Sequence, residues 1–254
     1  MATVSKKYQR NHYDQLAKIR QKSNVPFSCG FDERYNPFLL VNDAEIYQYF
    51  TELLSQRFPA EKGVVLDCCS GSGIYLPLIA AFSKRLVGID LSFGLLRESK
   101  KIIEWMDSAK TSILQSEAES IPMKSDSCDL VVMIDSFHHI EHPESVLKEL
   151  FRVAKKNATF LLIEPNIINP LVFLSHIIPK EERGAIRRNT RKKLVKMISP
   201  YVQNLQITPM NYVASNKSGF IGQFFSKMTA KLFAHIFTFW PIRLLIIGQF
   251  SKEK

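Results

Sequence analysis

Three groups of chemically capable residues stand at the ends of apolar runs in this 254-residue chain. The first lies in "VVLDCCSGSGIYLPLIA" at residues 64–80, where Asp67 closes an apolar run and Gly71 and Gly73 follow. Glycine there permits positive φ and lets a ligand approach where a Cβ would stand. A helix starting just beyond aims its unpaired N–H groups and positive dipole end into the same turn. The second is Asp90, 23 residues beyond Asp67, at the end of "RLVGID". The third is "IDSFHHIEH", with Asp135, His138 and His139. Imidazole titrates near the operating pH, so His138 and His139 are candidate general bases.

The turn is not a phosphate loop, because no Lys-Ser/Thr follows Gly73. An acid just before it would repel a pyrophosphate and welcome an ammonium. Asp135, His138 and His139 stand at i, i+3 and i+4, which on a helical turn could gather one cation. No partner His is evident from spacing, and no metal is expected.

These residues need elements to hold them. Asn42 can cap a helix with apolar positions Ile46, Tyr49, Phe50, Leu53 and Leu54, stopped by Pro59 and Gly63. Then "VVLDC" reads as a strand, "IYLPLIAAF" as a helix, "RLVGID" as a strand and "SFGLLRESKKIIEWM" as a helix capped by Ser92. "TSILQ" and "DLVVMI" are strands, a helix enters at Pro143, and "TFLLIEP" is a strand. Apolar strands alternating with helices predict an α/β fold, a doubly wound, mostly parallel seven-stranded sheet with helices on both faces. Thr190 opens a helix through about Tyr201, and "LQITPMNYVA" and "RLLIIGQF" read as the last strands. The expected organisation is an N-terminal extension over 1–42 and a core domain over 43–254, carrying an insert at about 167–200 and an extra helix at about 221–240.

Composition suits a folded domain, with 46% hydrophobic and 23% charged residues. Cys29, Cys68, Cys69 and Cys128 give neither a disulfide framework nor a zinc spacing, and the adjacent pair should point to opposite sides of a strand end. The N-terminus has no apolar signal region, and the expectation is a cytoplasmic protein. Net charge is +10, unevenly spread: residues 23–179 hold 14 basic and 20 acidic side chains, whereas the flanks 1–22 and 180–254 hold 20 and 4. Such asymmetry points to an anionic partner met by the periphery.

"VLDCCSGSG" resembles the first motif of class I S-adenosylmethionine-dependent methyltransferases, usually written like VLDLGCGTG, with Cys69 in place of the family's first Gly. Three further motifs follow in order: "LVGIDLS", "LQSEAESIPMKSDSCDLVV" and "SFHHIEHPESVLKELFRVAKKNATFLLIEPN". In the last, the turn "KKNA" lacks the family's paired glycines, but Asn157 can adopt the left-handed conformation. The likeness runs over about residues 40–165 and implies a Rossmann-like methyltransferase fold with S-adenosylmethionine as cofactor. It implies that Asp67, Cys69, Gly71, Gly73, Asp90, Leu91 and Asp135 bind that cofactor, that Asp90 grips both ribose hydroxyls, and that Glu117 and the Ala118 amide meet the adenine. Certain family members carry an E-x-x-E-H metal motif where this chain has Asp135, His138 and His139, with a His in place of the second acid.

The likeness also implies an acceptor seated over the C-terminal edge of the sheet, with the first 40 residues as a lid in which Tyr13 and Tyr35 are candidates to close over the cofactor. The expected acceptor is a small molecule or a lipid-linked one, methylated at oxygen. The alternatives are an RNA methyltransferase using the basic flanks, disfavoured because no RNA-binding module is present, and a non-catalytic binding protein on this fold. Residues 180–196 hold eight Lys or Arg, and residues 222–239 carry an apolar stripe opposite a polar one. Together they could meet an anionic membrane surface peripherally. The stretch "LFAHIFTFWPIRLLIIG" is interrupted by His235, Pro241 and Arg243 and is too short to span a bilayer. Oligomeric state is not legible.

Overall fold

A computed structural model describes residues 5–22, 35–177, 185–211 and 240–252. Strands β1 (Lys62–Cys68), β2 (Ser83–Asp90), β3 (Thr111–Gln115), β4 (Cys128–Ile134), β5 (Ala154–Pro165), β6 (Val202–Met210) and β7 (Arg243–Phe250) form one sheet in the order β3-β2-β1-β4-β5-β7-β6. β1 to β5 pair in parallel, and β7 runs antiparallel to both β5 and β6. Strand order reverses direction between β1 and β4, so the crevice beyond their C-terminal ends is the natural ligand site of the fold. Asp67 of β1, Asp90 of β2 and Asp135 just after β4 all stand at those ends.

Each sheet face carries its own apolar core. One joins Val131, Met133 and Leu162 to Val146, Leu147 and Leu150 of α5 (Pro143–Val153) and to Leu194 and Ile198 of α7 (Arg191–Ile198). The other joins Val65, Leu130 and Leu161 to Ile46, Phe50 and Leu54 of α2 (Ala44–Ser55) and to α3 (Leu76–Ala80). Helix α4 (Phe93–Trp105) is capped by Ser92, whose Oγ accepts from the Leu95 amide, as its sequence predicts.

Some boundaries differ from expectation. The cap of α2 is Asp43, not Asn42: the Asp43 carboxylate accepts from the Ile46 amide. Helix α3 has only five residues, because the glycine turn is followed by turn backbone up to Tyr75. The helix opened by Thr190 ends at Ile198, and the next strand begins at Val202 and stops at Met210. The helix expected at about 221–240 lies almost wholly outside the described residues. Within the expected insert are α6 (Pro170–Ile177), a 3-10 turn at Ala185–Arg188, and α7. Asn157 does take the left-handed conformation, with φ 61°. The N-terminal α1 (Lys6–Lys22) packs on α4, where Gly94 makes room for it.

Candidate functional site

The turn after β1 is built from left-handed residues: Cys69 at φ 65°, Gly71 at 57° and Gly73 at 82°. A Cβ on Gly73 would stand 2.8 Å from the Ser99 Cβ, so this glycine lets the turn pack on α4. A Cβ on Gly71 would meet nothing within 4 Å, which leaves a bare backbone surface. Cys69 bears a side chain in a conformation that costs an L-residue roughly 1–2 kcal/mol. This backbone change also corrects the expected divergence of the cysteines: the Cys68 and Cys69 sulfurs are 4.0 Å apart, because Cys69 has left the strand.

Asp90 ties the turn to the second strand. Its Oδ2 accepts from the Gly71 amide at 2.8 Å and its Oδ1 from the Ser92 amide at 2.8 Å. Burial lifts its pKa to about 6 against the pull of those two amides. Asp67 is 3% exposed, and burial, with the Asp90 charge adding to it, lifts its pKa to about 7. Two carboxyls held above their ordinary range by burial are poised for a cation and for hydroxyl donors. The Ser70 and Ser72 hydroxyls are buried without a hydrogen-bond partner among the described residues. The bare Gly71 surface, the orphaned hydroxyls and the paired acids fit the ribose and ammonium groups of S-adenosylmethionine.

The remaining expected cofactor residues fall around this turn. The Leu91 carbonyl accepts from the Gln115 side chain at 3.0 Å, and Ala118 is buried. Glu117 is half exposed and holds the Lys6 ammonium at 2.9 Å, so α1 sits against the residue expected to meet the adenine. Asp135 has φ 49°; its Oδ2 accepts from the Tyr75 hydroxyl at 3.1 Å and from Arg243 at 2.8 Å, while its Oδ1 is buried without a partner among the described residues. Arg243 also donates to the Tyr75 oxygen at 3.1 Å. Burial raises the Asp135 carboxyl even beside that guanidinium.

His138 and His139 lie on a 3-10 turn, Phe137–His139, with ring centroids 4.0 Å apart. His138 is 3% exposed, and its Nδ1 is 2.7 Å from Oε2 of Glu164 at the end of β5. Glu164 is fully buried and also accepts from the amides of Ser136, Phe137 and His138 and from the Asn189 side chain. Burial alone would raise its carboxyl, but the His138 charge and the hydrogen bonds from His138, Asn189 and Phe137 outweigh it and hold it below the ordinary range. An ionised carboxylate only accepts, so the Nδ1 of His138 carries a proton, and in the neutral ring Nε2 carries the lone pair. His139 meets α1: its Nε2 is 3.5 Å from the Tyr13 hydroxyl, and its carbonyl accepts from Gln9 at 2.7 Å. Tyr13 and Tyr35 pack edge to face at 5.7 Å.

Among the described residues, no three His, Cys, Asp or Glu side chains are grouped to hold a metal ion. Glu164, Asn189, Tyr75 and Arg243 were not legible as site residues. Their only sequence signals are an acid at the end of the apolar run "TFLLIEP" and a base at the start of "RLLIIGQF".

Residues 66–162 match the family model described as a methyltransferase domain. The chain is 28% identical over 131 residues to the ubiquinone/menaquinone biosynthesis C-methyltransferase UbiE of Syntrophotalea carbinolica, covering 48% of this chain and 54% of that one. It is 24% identical over 180 residues to the demethylmenaquinone methyltransferase of Clavibacter sepedonicus, covering 68% and 69%. The chain thus spans about half the length of the first of these relatives. Among solved structures, it resembles a SAM-dependent methyltransferase from Archaeoglobus fulgidus with a TM-score of 0.60 at 15% identity, over 86% of this chain and 97% of that one.

Proposed function

We propose, from the premise that this chain carries a class I S-adenosylmethionine-dependent methyltransferase domain with S-adenosylmethionine as its cofactor, that the protein methylates a hydroxyl-bearing small-molecule or lipid-linked acceptor, at oxygen. The observation that carries the base is the 2.7 Å contact between His138 Nδ1 and Glu164. When bound, the cofactor supplies a methyl group on a sulfonium whose sulfur leaves neutral, so the protein's task is largely positioning. Asp90 would hold the ribose hydroxyls, Asp67 would face the ammonium, and Glu117 with the Ala118 amide would meet the adenine. His138, oriented by Glu164, takes the acceptor's hydroxyl proton at Nε2.

The relatives named as C-methyltransferase and demethylmenaquinone methyltransferase favour a second reading, transfer to a ring carbon of a hydrophobic hydroxyaromatic acceptor. The same proton removal serves it, since an ionised ring hydroxyl activates the carbon beside it. The test is incubation of the protein and methyl-labelled cofactor with a crude lipid extract, followed by analysis of the labelled product. Label in a methyl ether supports oxygen, and label on a ring carbon supports the second reading. Cofactor binding by calorimetry with no labelled product from lipid, small-molecule or RNA pools would favour a binding protein.

A further inference from the structure

On and beside α6, whose His176 meets the His138 ring edge to face at 5.9 Å, four large apolar side chains are about half exposed: Ile168, Phe173, Leu174 and Trp240, each 45–51% exposed. They are neighbours in space. Phe173 and Leu174 share α6, Ile168 lies just before it, and the Asn169 side chain donates to the Trp240 carbonyl at 2.7 Å. Scattered apolar residues on a surface need no explanation, but a cluster with this exposure marks a contact surface.

The chain next to this cluster is strongly basic. Residues 185–198, "AIRRNTRKKLVKMI", hold six Lys or Arg and no acid. Arg187, Arg191, Lys192, Lys193 and Lys196 are exposed. The sixth, Arg188, turns inward and donates to the carbonyls of His138 and Ile140. The Ile167 amide donates to the Asn189 carbonyl at 2.9 Å, joining the basic segment to the apolar cluster. Apolar residues and cations thus both flank the His turn: α6 meets the His138 ring through His176, and Arg188 donates to the His138 carbonyl.

A protein partner with an acidic face would match the cations, and a purely apolar partner would match the cluster. One surface offers both chemistries side by side over a wide area, a bilayer with anionic headgroups. We propose that the protein docks on an anionic membrane surface through this face, with Ile168, Phe173, Leu174 and Trp240 in the headgroup boundary and the exposed basic side chains of residues 187–196 against lipid phosphates. This deepens the lipid-linked reading of the acceptor and rests on it for its purpose: docking would bring the His turn beside the bilayer that holds the acceptor. No helix among the described residues is long and apolar enough to cross a membrane, so the contact is peripheral.

The experiment is co-sedimentation of the full chain with vesicles, pure phosphatidylcholine in one arm and phosphatidylcholine with about 30% phosphatidylglycerol in the other. The expected result is about tenfold more protein bound in the anionic arm, reduced but not abolished at high salt. R187Q/R191Q/K192Q/K196Q should bring the anionic arm down to the neutral one. F173S/L174S should remove the binding that survives salt. Both variants change exposed side chains and should bind S-adenosylmethionine like the parent by calorimetry, which requires neither vesicles nor turnover. Equal partition into the two arms, or a charge variant that still sediments like the parent, overturns the docking. Retention of RNA without sedimentation of vesicles overturns it in favour of a nucleic-acid surface. Loss of cofactor binding in the parent would overturn the methyltransferase reading instead, whatever the vesicles do.

Discussion

His138 Nδ1 and Glu164 Oε2 are 2.7 Å apart inside the protein, across the gap between the loop after β4 and the end of β5. Three consecutive amides, from Ser136 to His138, point at the same carboxylate. The carboxylate therefore shapes the turn and fixes the ring together. A base whose tautomer is set by a buried acid loses both orientation and basicity when the acid loses its charge.

Glu164→Gln should lower turnover about a hundredfold with cofactor affinity little changed, the signature of a positioning residue acting through the base. His138→Gln should lose at least as much. The pH profile distinguishes this from mere destabilisation: the acidic limb set by an essential base should shift in Glu164→Gln, and thermal unfolding should report separately the stability lost when buried donors lose their acceptor, about 1–3 kcal/mol. Unchanged turnover in both variants would retire the pair.

The acids of the cofactor turn make stability and binding depend on pH in opposite senses. Asp67 and Asp90 have folded values of about 7 and about 6, above the ordinary 3.8, burial being the larger cause in each. The folded chain then holds more protons than the unfolded one between those limits. Their contribution to stability is fully present below the unfolded value and is lost as pH rises through about 6 and about 7. Raising pH from about 5 to about 8 should lower the melting temperature of the ligand-free protein by this route, and Asp67→Asn should flatten the dependence. Cofactor binding should strengthen over the same range, by up to about tenfold per pH unit while one proton must leave. Calorimetry in buffers of different ionisation enthalpy would detect that proton. Asp67→Asn and Asp90→Ala should each weaken binding by about 1–3 kcal/mol, and binding equal to the parent would remove these acids from the cofactor site.

Local sequence determined more of the fold than of the site. "TSILQ" and "RLLIIGQF" were legible residue for residue as β3 and β7, because turn residues bracket each apolar run. Asp67, Asp90 and the glycines were legible because strand-end acids and left-handed turns leave marks in adjacent residues. Glu164, Asn189 and Arg243 left no mark that singled them out as site residues, since their partners His138, Glu164 and Asp135 are 25 residues or more away in the chain and only the fold brings them together. The sequence likewise placed α1 only within an N-terminal extension or lid, without its contacts. Its contacts with Glu117, His139 and Ser92 arise from tertiary packing.

That packing has a narrow tolerance at Gly94. A Cβ there would stand 2.6 Å from the Ala17 Cβ and 3.2 Å from the Asp14 Cα, so Gly94→Ala should push α1 away from α4. Asp14 would also lose its hold on the Gly94 amide and the Ser92 hydroxyl. Overpacking of this kind costs about 1–3 kcal/mol. Amide exchange in α1 should accelerate accordingly while the sheet stays protected, and exchange in α1 equal to the parent would show that the helix adjusts without cost.

Cys69 offers the sharpest test of strain in the turn, because it is a side chain at φ 65° where its neighbours at positive φ, Gly71 and Gly73, are glycines. Replacing it by Ala or by Gly removes the same thiol, so the difference between the two variants isolates the backbone. At negative φ, glycine would be the less stable choice, since it frees the unfolded chain. At this left-handed position the order reverses, because Ala keeps the Cβ clash that glycine relieves. Cys69→Gly should exceed Cys69→Ala by about 1 kcal/mol, or about 2–4 °C in melting temperature for a chain of this size. The thiol itself should alkylate slowly, since the hydrogen bond with Cys68 and burial both push it well above its ordinary range. If Ala proved as stable as Gly, the turn would have to relax away from positive φ at residue 69, and cofactor affinity in the two variants would show whether the Gly71 surface moves with it.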